Sequence, residues 1–168
     1  MGQGDINALI LSIADGDNQA LSRLYQKTAR GVYAFIYSYL KNHEDTEDAL
    51  QTVYLKIKQY SHTYKSGTNA RAWILQIAKN HSINQLNKRK KEVALTDNHF
   101  TSGGISSSSV NEVMLKCLTE EERNIIILHV LWGYRHREIA ELLNCPTGTI
   151  TSKYKRAVEK LKKELKEV

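Results

Sequence analysis

The stretch that decides the fold runs from residue 118 to residue 157 and reads LTEEERNIIILHVLWGYRHREIAELLNCPTGTITSKYKRA. Thr119 with Glu122 three residues later is a capping box, so a helix begins here and an apolar run continues it. The segment 137–143 is a short amphipathic helix, and the turn residues NCPTG end it. Apolar residues at helical spacing resume at Ile150. The pattern predicts two helices joined by a tight turn, which is the helix-turn-helix arrangement.

Residues inside this stretch fit the tight turn and a polar exposed face. Ala140 is small enough for two helices to approach closely, and Asn144 tolerates the left-handed conformation that such a turn needs. The exposed side of the last helix carries hydroxyls and cations, which suit phosphates and base edges. These residues are Thr151, Ser152, Lys153, Lys155 and Arg156. A solvated helical hairpin that binds nothing has the same apolar spacing and stays open as an alternative.

Positive charge is concentrated in two separate segments of the chain, whose formal net charge is +6. Residues 70–91 hold six basic side chains and no acidic one, and residues 145–163 hold six basic side chains and Glu159. Two basic segments predict two contacts with a polyanion, with nucleic acid as the favoured partner. The alternative is that these charged helix faces only keep the protein soluble.

The segment 93–111 separates two parts of different character. It contains the low-complexity run TSGGISSSS. Burial of its few apolar residues would not offset the entropy cost of ordering the segment. We therefore predict a domain over residues 1–92, a flexible linker over 93–111 and a second domain over 112–168. The predicted fold class is all-α, with two small helical domains and the helix-turn-helix in the second.

Three helices are predicted in residues 1–92 from their apolar stripes. The first begins after Asp17 as its N-cap, the second follows the acidic turn 44–48, and the third opens near Trp73. Residues 61–69, with the sequence SHTYKSGTN, carry turn chemistry and separate the second helix from the third. The stripes predicted as core are Leu21, Leu24, Tyr25, Thr28, Val32, Phe35, Ile36, Tyr39 and Leu40, then Ala49, Leu50, Val53, Ile57 and Tyr60.

The sequence argues against an enzyme, a metal protein and a membrane protein. Neither Cys117 nor Cys145 has a partner at metal-ligand spacing, so we expect no metal, no cofactor and no disulfide framework. The acidic turn 44–48 fits a helix N-terminus and a partner-binding face better than a metal site, and no catalytic motif occurs. Because no apolar run reaches the roughly 18 residues of a membrane span and no signal core begins the chain, we expect a cytoplasmic protein.

Taken together, these motifs resemble a bacterial sigma factor of the extracytoplasmic-function group, the two-domain minimal form. The similarity in residues 1–92 lies in GDNQALSRLY, in EDTEDALQTVYLKI and in ARAWILQIAKNHSIN with the basic residues after it. The similarity in residues 112–168 lies in the stretch quoted at the outset. Each fragment is common, but their order and spacing together are specific to that family.

The resemblance implies that residues 1–92 bind the RNA polymerase core and open the −10 promoter element. It assigns the polymerase contact to the second helix, through Glu47, Asp48, Gln51 and Tyr54. A negative helix face that also carries an amide suits a basic partner helix.

The resemblance also implies that the loop 61–69 captures a flipped base of the non-template strand. Tyr64 would stack on the base, while hydroxyl and amide side chains would read its edge. The residues it assigns to single-stranded −10 DNA are Tyr64, Ser66, Thr68, Asn69, Arg71, Asn80, Lys88 and Arg89.

For residues 112–168 the resemblance implies binding of the −35 element as duplex DNA. The assigned residues are Thr149, Thr151, Ser152, Lys153, Lys155 and Arg156. The implied partners are RNA polymerase core, promoter DNA and an inhibitory anti-sigma factor, without membrane insertion and without intrinsic catalysis.

Two other functions compete with transcription initiation. One is a helix-turn-helix DNA-binding regulator whose residues 1–92 serve dimerisation or sensing. The acidic turn 44–48 followed by Gln51 favours the sigma factor, because a repressor needs no polymerase-binding surface. The other is a protein adaptor that never touches DNA, which would leave both basic segments unexplained.

Overall fold

A computed structural model describes residues 3–95 and 110–165 of the chain. The helices are α1 (Gln3–Ala14), α2 (Asn18–Leu40), α3 (His43–Tyr60), α4 (Ala70–Leu95), α5 (Val110–Cys117), α6 (Glu120–Ile126), α7 (His136–Leu143) and α8 (Thr147–Glu164). A 3-10 turn, Ser61–Thr63, follows α3, and a π-helical turn, Ile127–Leu131, follows α6. No strand occurs in the described residues, so the predicted all-α fold class is confirmed over that part of the chain.

The chain divides into two compact units, with the border between Gly104 and Ile105. The first unit is the packing of α1, α3 and α4 against α2. The predicted cap is confirmed, because the side chain of Asp17 accepts hydrogen bonds from the amides of Gln19 and Ala20. The acidic first turn of α3 is capped by Asn42, whose side chain accepts from the amide of Asp45.

Most of the predicted stripe residues form the core of the first unit. Leu24, Val32, Ile36, Val53 and Ile57 are fully buried. Two expectations were wrong, since Tyr25 and Tyr60 each remain 44% exposed. A tyrosine can lie at the edge of the core with its ring on apolar side chains and its hydroxyl in solvent. Its position in an apolar stripe therefore does not show whether it is buried.

The helix α1 was absent from the sequence-based prediction. It packs on α2 and on the 3-10 turn, and it buries one apolar side formed by Ile6, Leu9, Ile10 and Ile13. Their spacing of three and four residues is that of a helix face. Over only 12 residues, such a stripe is too short to stand out from chance.

The second unit contains the predicted helix-turn-helix. Both halves of the capping box, Thr119 and Glu122, are formed. The helix α7 ends at Asn144 in the left-handed conformation (φ 52°), as the sequence predicts. Ile139 and Ile150 are buried between the two helices, at 0% and 1% exposure.

The predicted linker 93–111 lies mostly outside the described residues. The helix α4 continues to Leu95 and α5 begins at Val110, so helical structure enters both edges of the predicted linker. No helix within the described ranges combines the length and the apolar character that crossing a membrane requires.

Candidate interaction surfaces

One side of α3 presents a mixed acidic, amide and apolar surface, which we call the α3 face: Glu47, Asp48, Gln51 and Leu55. All four side chains are exposed. Gln51 follows Glu47 by four residues and Asp48 by three, and Leu55 follows Gln51 by four, so the four side chains lie along one side of the helix. The carboxylates sit in the first half of the helix, where negative charge is favourable.

Tyr54, which the resemblance assigns to the same contact, is not exposed with these four residues. Its side chain is 5% exposed, and its hydroxyl lies 2.6 Å from Oγ1 of Thr28 on α2. Its ring packs on that of Tyr25 with centroids 4.8 Å apart. Burial is the main cause that raises the pKa of Tyr54 above its ordinary value. The residue therefore joins α3 to α2 rather than facing a partner.

Leu55 is a surface residue that the sequence reasoning missed. Its side chain is 66% exposed, the most of any large apolar side chain in the described residues. The signal was present in the sequence, since Leu55 falls outside the helical stripe of Ala49, Val53 and Ile57. An exposed leucine one turn from Gln51 adds apolar contact area to a charged face.

The loop 61–69 holds its aromatic residue inside, contrary to the stacking role expected for it. Tyr64 is 6% exposed, and its ring meets Trp73 edge-on at 5.4 Å. Its hydroxyl contacts Asn7 of α1 and the carbonyl of Thr68. In this conformation the ring offers no free face to a base.

The tip of the loop, Lys65 to Thr68, is exposed to solvent. Its turn is closed by the amide and the hydroxyl of Thr68, which both donate to the carbonyl of Lys65. Gly67 has φ +82°, a conformation that L side chains rarely adopt. Asn69 is half-buried and caps α4 by accepting from the amide of Ala72. Of the loop residues predicted to contact a base, Ser66 and Thr68 thus lie in the exposed tip, whereas Tyr64 and Asn69 have contacts within the protein.

Along α4 the residues assigned to −10 DNA differ in exposure. Arg71 is only 8% exposed. Asn80 is exposed and accepts a hydrogen bond from Gln76. Lys88 is exposed, whereas Arg89 is half-exposed and forms an ion pair with Asp45 of α3.

The outer side of α8 has the hydroxyls and cations that the sequence predicts. Ser152, Lys155 and Arg156 are exposed, while Thr149, Thr151 and Lys153 are partly covered. Thr151 donates to the carbonyl of Thr147 and contacts Nδ1 of His136 at 3.2 Å. The ammonium group of Lys153 is paired with Glu121 of α6.

An acidic anchor on α6 fixes the position of α8. Glu122 is 5% exposed and accepts hydrogen bonds from the ammonium group of Lys160 at 2.8 and 3.0 Å. Burial raises the pKa of Glu122, but the bonds from Lys160 and from the Thr119 amide outweigh it and leave the pKa lowered. The carboxylate therefore stays charged and holds α8 against α6.

A cluster of three aromatic rings packs α8 against the π-helical turn and α7. His129, His136 and Tyr154 have ring centroids 4.8 to 4.9 Å apart. Burial, and then the neighbouring His129, lower the pKa of His136. The described residues contain no group of three or more His, Cys, Asp or Glu side chains that could hold a metal ion.

Comparisons with known proteins show which family the chain resembles. The family model for sigma-70 region 2 matches residues 24–92, and the model for sigma-70 region 4 matches residues 112–161, together well over half of the chain. The ECF RNA polymerase sigma factor SigC of Mycobacterium tuberculosis is 26% identical over 165 residues, covering 93% of this chain and 89% of the relative. The ECF RNA polymerase sigma factor SigM of Bacillus subtilis is 26% identical over 152 residues, covering 84% and 93%.

A solved structure also matches the fold. It is the sigma factor RpoE in complex with the anti-sigma factor NepR from Bartonella quintana. The TM-score is 0.67 and the sequence identity 26%, with 86% of this chain and 96% of that chain covered.

Proposed function

The chain belongs to the sigma-70 family as an extracytoplasmic-function RNA polymerase sigma factor, and from that premise we propose which of its surfaces perform each step of initiation. The α3 face binds the polymerase core. The tip of the loop 61–69, with α4, holds the unpaired −10 strand. The outer side of α8 binds the −35 duplex. We propose that the chain does this in the cytoplasm, without intrinsic catalysis and without a cofactor.

The observation that carries the proposal for the polymerase core is the exposure of the whole α3 face. Asp48 attracts a basic partner surface over distance, and Gln51 can pair with partner backbone or side chains. Leu55, which is 66% exposed, adds apolar contact area beside these polar groups.

The experiment for this surface replaces Asp48 and Gln51 by alanine and titrates the labelled protein with polymerase core. We expect weaker association with an unchanged helical content, because neither side chain is buried. Asp15→Asn is the matched control, since Asp15 is an exposed acid of the first unit outside the α3 face. Equal affinity of the double variant and the wild type would rule out the α3 face as the core-binding surface.

The −10 proposal rests on the loop tip rather than on Tyr64. Lys65 supplies a cation, and Ser66 with Thr68 supplies hydroxyls that can pair with a base edge. The exposed Lys79, Asn80 and Lys88 extend this polar surface along α4. Lys65→Ala with Ser66→Ala is expected to slow promoter opening, measured by permanganate reactivity of thymines near the start site. Opening at the wild-type rate would remove the tip from the −10 contact.

The −35 proposal rests on the exposed Ser152, Lys155 and Arg156 at one side of α8. A helix with this chemistry, presented by a helix-turn-helix, fits the major groove of duplex DNA.

The similarity to RpoE, whose solved structure includes the anti-sigma factor NepR, supports an anti-sigma factor as a partner of this chain. Competition between a purified anti-sigma candidate and polymerase core for the labelled chain tests that partner.

A further inference from the structure

The helix α1 packs on the 3-10 turn of the loop 61–69 and also contacts the loop through the buried hydroxyl group of Tyr64. The hydroxyl of Tyr64 lies 2.8 Å from Oδ1 of Asn7 and 2.9 Å from the carbonyl oxygen of Thr68. Asn7 is 57 residues away in sequence, so this contact is long-range. The ring itself is fixed by burial and by the edge of Trp73.

The hydrogen-bonding capacity of these groups decides what Asn7 does. The hydroxyl of Tyr64 has one proton, and the carbonyl of Thr68 can only accept. When Tyr64 donates to Thr68, its remaining capacity is to accept, and an amide side chain can turn its nitrogen to donate. The oxygen of the Asn7 amide faces the hydroxyl as the side chain is placed; with the amide turned so that its nitrogen donates, Asn7 directs the proton of Tyr64 towards Thr68.

Thr68 transmits this arrangement to the tip. Its carbonyl is held by Tyr64, while its amide and hydroxyl hold the carbonyl of Lys65 at 3.2 and 2.7 Å. Loss of the bond from Tyr64 leaves one side of Thr68 unrestrained, and the turn that presents Lys65 and Ser66 loses its support.

We infer that Asn7 is a positioning residue for promoter opening, which holds the loop tip through Tyr64 and Thr68 in the shape that meets the unpaired strand. This inference rests on the proposed −10 role of the tip. It gives α1 a part in DNA strand opening although α1 carries none of the residues assigned to DNA.

The test uses the full chain bound to polymerase core on a promoter selected with the wild-type protein by run-off transcription. Tyr64→Phe keeps the ring and removes the hydroxyl, and Asn7→Ala removes the amide. Both variants should reduce the rate of open-complex formation about two- to tenfold, the range expected for one lost hydrogen bond. A premelted template should restore most of the loss, because the base is already unpaired.

Asn7→Asp separates positioning from stability. Aspartate keeps the shape of the side chain but only accepts, so it draws the proton of Tyr64 away from Thr68. The contact between α1 and the loop remains, and the unfolding temperature should stay near that of the wild type. Promoter opening should nevertheless slow as it does in Tyr64→Phe.

Two controls complete the design. Asp5→Asn removes the ion pair in which Oδ2 of Asp5 lies 2.7 Å from Nζ of Lys27 on α2, and it leaves the loop alone, so opening should not change. In the double variant Asn7→Asp with Tyr64→Phe, the loss should not exceed that of Tyr64→Phe alone, because Asn7 acts through the hydroxyl. An additive loss would indicate that the new charge repels DNA directly, and it would overturn the inference.

The outcomes distinguish the inference from the function on which it rests. If Lys65→Ala with Ser66→Ala slows opening but Asn7→Asp and Tyr64→Phe do not, the tip binds DNA without support from Asn7 and the inference is wrong. If the tip variant has no effect either, the −10 role of the tip fails and the inference fails with it. Slowing in all three variants, with rescue on the premelted template, supports both.

Discussion

At the scale of single residues, the buried hydroxyl of Tyr54 links α3 to α2. The hydroxyl of Thr28 donates to the carbonyl of Leu24 at 2.7 Å, so the proton in the contact between Thr28 and Tyr54 comes from Tyr54. We predict that Tyr54→Phe lowers the free energy of unfolding by about 1 kcal/mol. Chemical denaturation measures this change, and titration with polymerase core should show an unchanged affinity for the folded variant. A variant with the wild-type free energy of unfolding but a weaker affinity for polymerase core would show that Tyr54 belongs to the polymerase interface.

His136 gives the second unit a dependence on pH. Its Nε2 atom is buried without a hydrogen-bond partner among the described residues, so protonation would bury an unpaired N–H. Burial and His129 lower its pKa below the ordinary 6.5. The unfolded chain therefore binds this proton more readily than the folded chain, and stability falls as the pH drops below about 6.5.

The measurement follows the fluorescence of Trp132 during denaturation at several pH values, in a Trp73→Phe background so that only the second unit reports. His136→Phe keeps a ring in the cluster and removes the titrating group. We expect a flatter dependence of stability on pH between 7.5 and about 5.5 for this variant. Equal slopes with and without His136 would assign the effect to another group.

At the scale of elements, the ion pair between α6 and α8 restrains a cation predicted to contact DNA. Glu121 holds Lys153, and a phosphate must displace this carboxylate before Lys153 can bind it. We predict that Glu121→Gln strengthens binding to −35 duplex, whereas Lys153→Ala and Arg156→Ala each lower the slope of log affinity against log salt by about one. Titration of the full chain over a series of salt concentrations tests all three. If Glu121→Gln binds as the wild type does, Lys153 makes no phosphate contact.

The elements that could be predicted are those whose signals are local. The capping box of α6 and the left-handed turn at Asn144 depend on residues a few positions apart, and both were predicted. The burial of Tyr54 and Tyr64 depends on partners 26 and 57 residues away, Thr28 and Asn7. Because tyrosine fits an interior and a binding surface equally well, its role could not be read from the stripe pattern.

Local chemistry also explains why the exposure of some α8 residues could be predicted. Ser152, Lys155 and Arg156 lie outside the apolar stripe of α8 and are exposed, as the pattern indicates. Leu55 was missed because it belongs to no predicted stripe and was not considered as a surface residue. Its place off the stripe of Ala49, Val53 and Ile57 was the signal that it is exposed.

At the scale of the whole molecule, one chain carries two units that are each assigned to a different promoter element. The residues between the two described parts, 96–109, are rich in glycine and serine. A covalent connection raises the local concentration of the second unit to about the millimolar range once the first is bound.

We predict that residues 1–95 and 110–168, supplied as separate chains at micromolar concentration, still bind polymerase core and −35 duplex respectively. Transcription from a promoter that needs both elements should fall by about 100-fold or more, because the advantage of the covalent connection is lost. Run-off transcription measures the loss, and raising the concentration of the segment 110–168 should partly restore it. In the matched control, a glycine-serine sequence of equal length replaces residues 96–109 in the intact chain and should keep most of the activity. Full activity of the separated chains would mean that the two units do not act on one promoter through their connection, whereas inactivity of the control would assign specific contacts to residues 96–109.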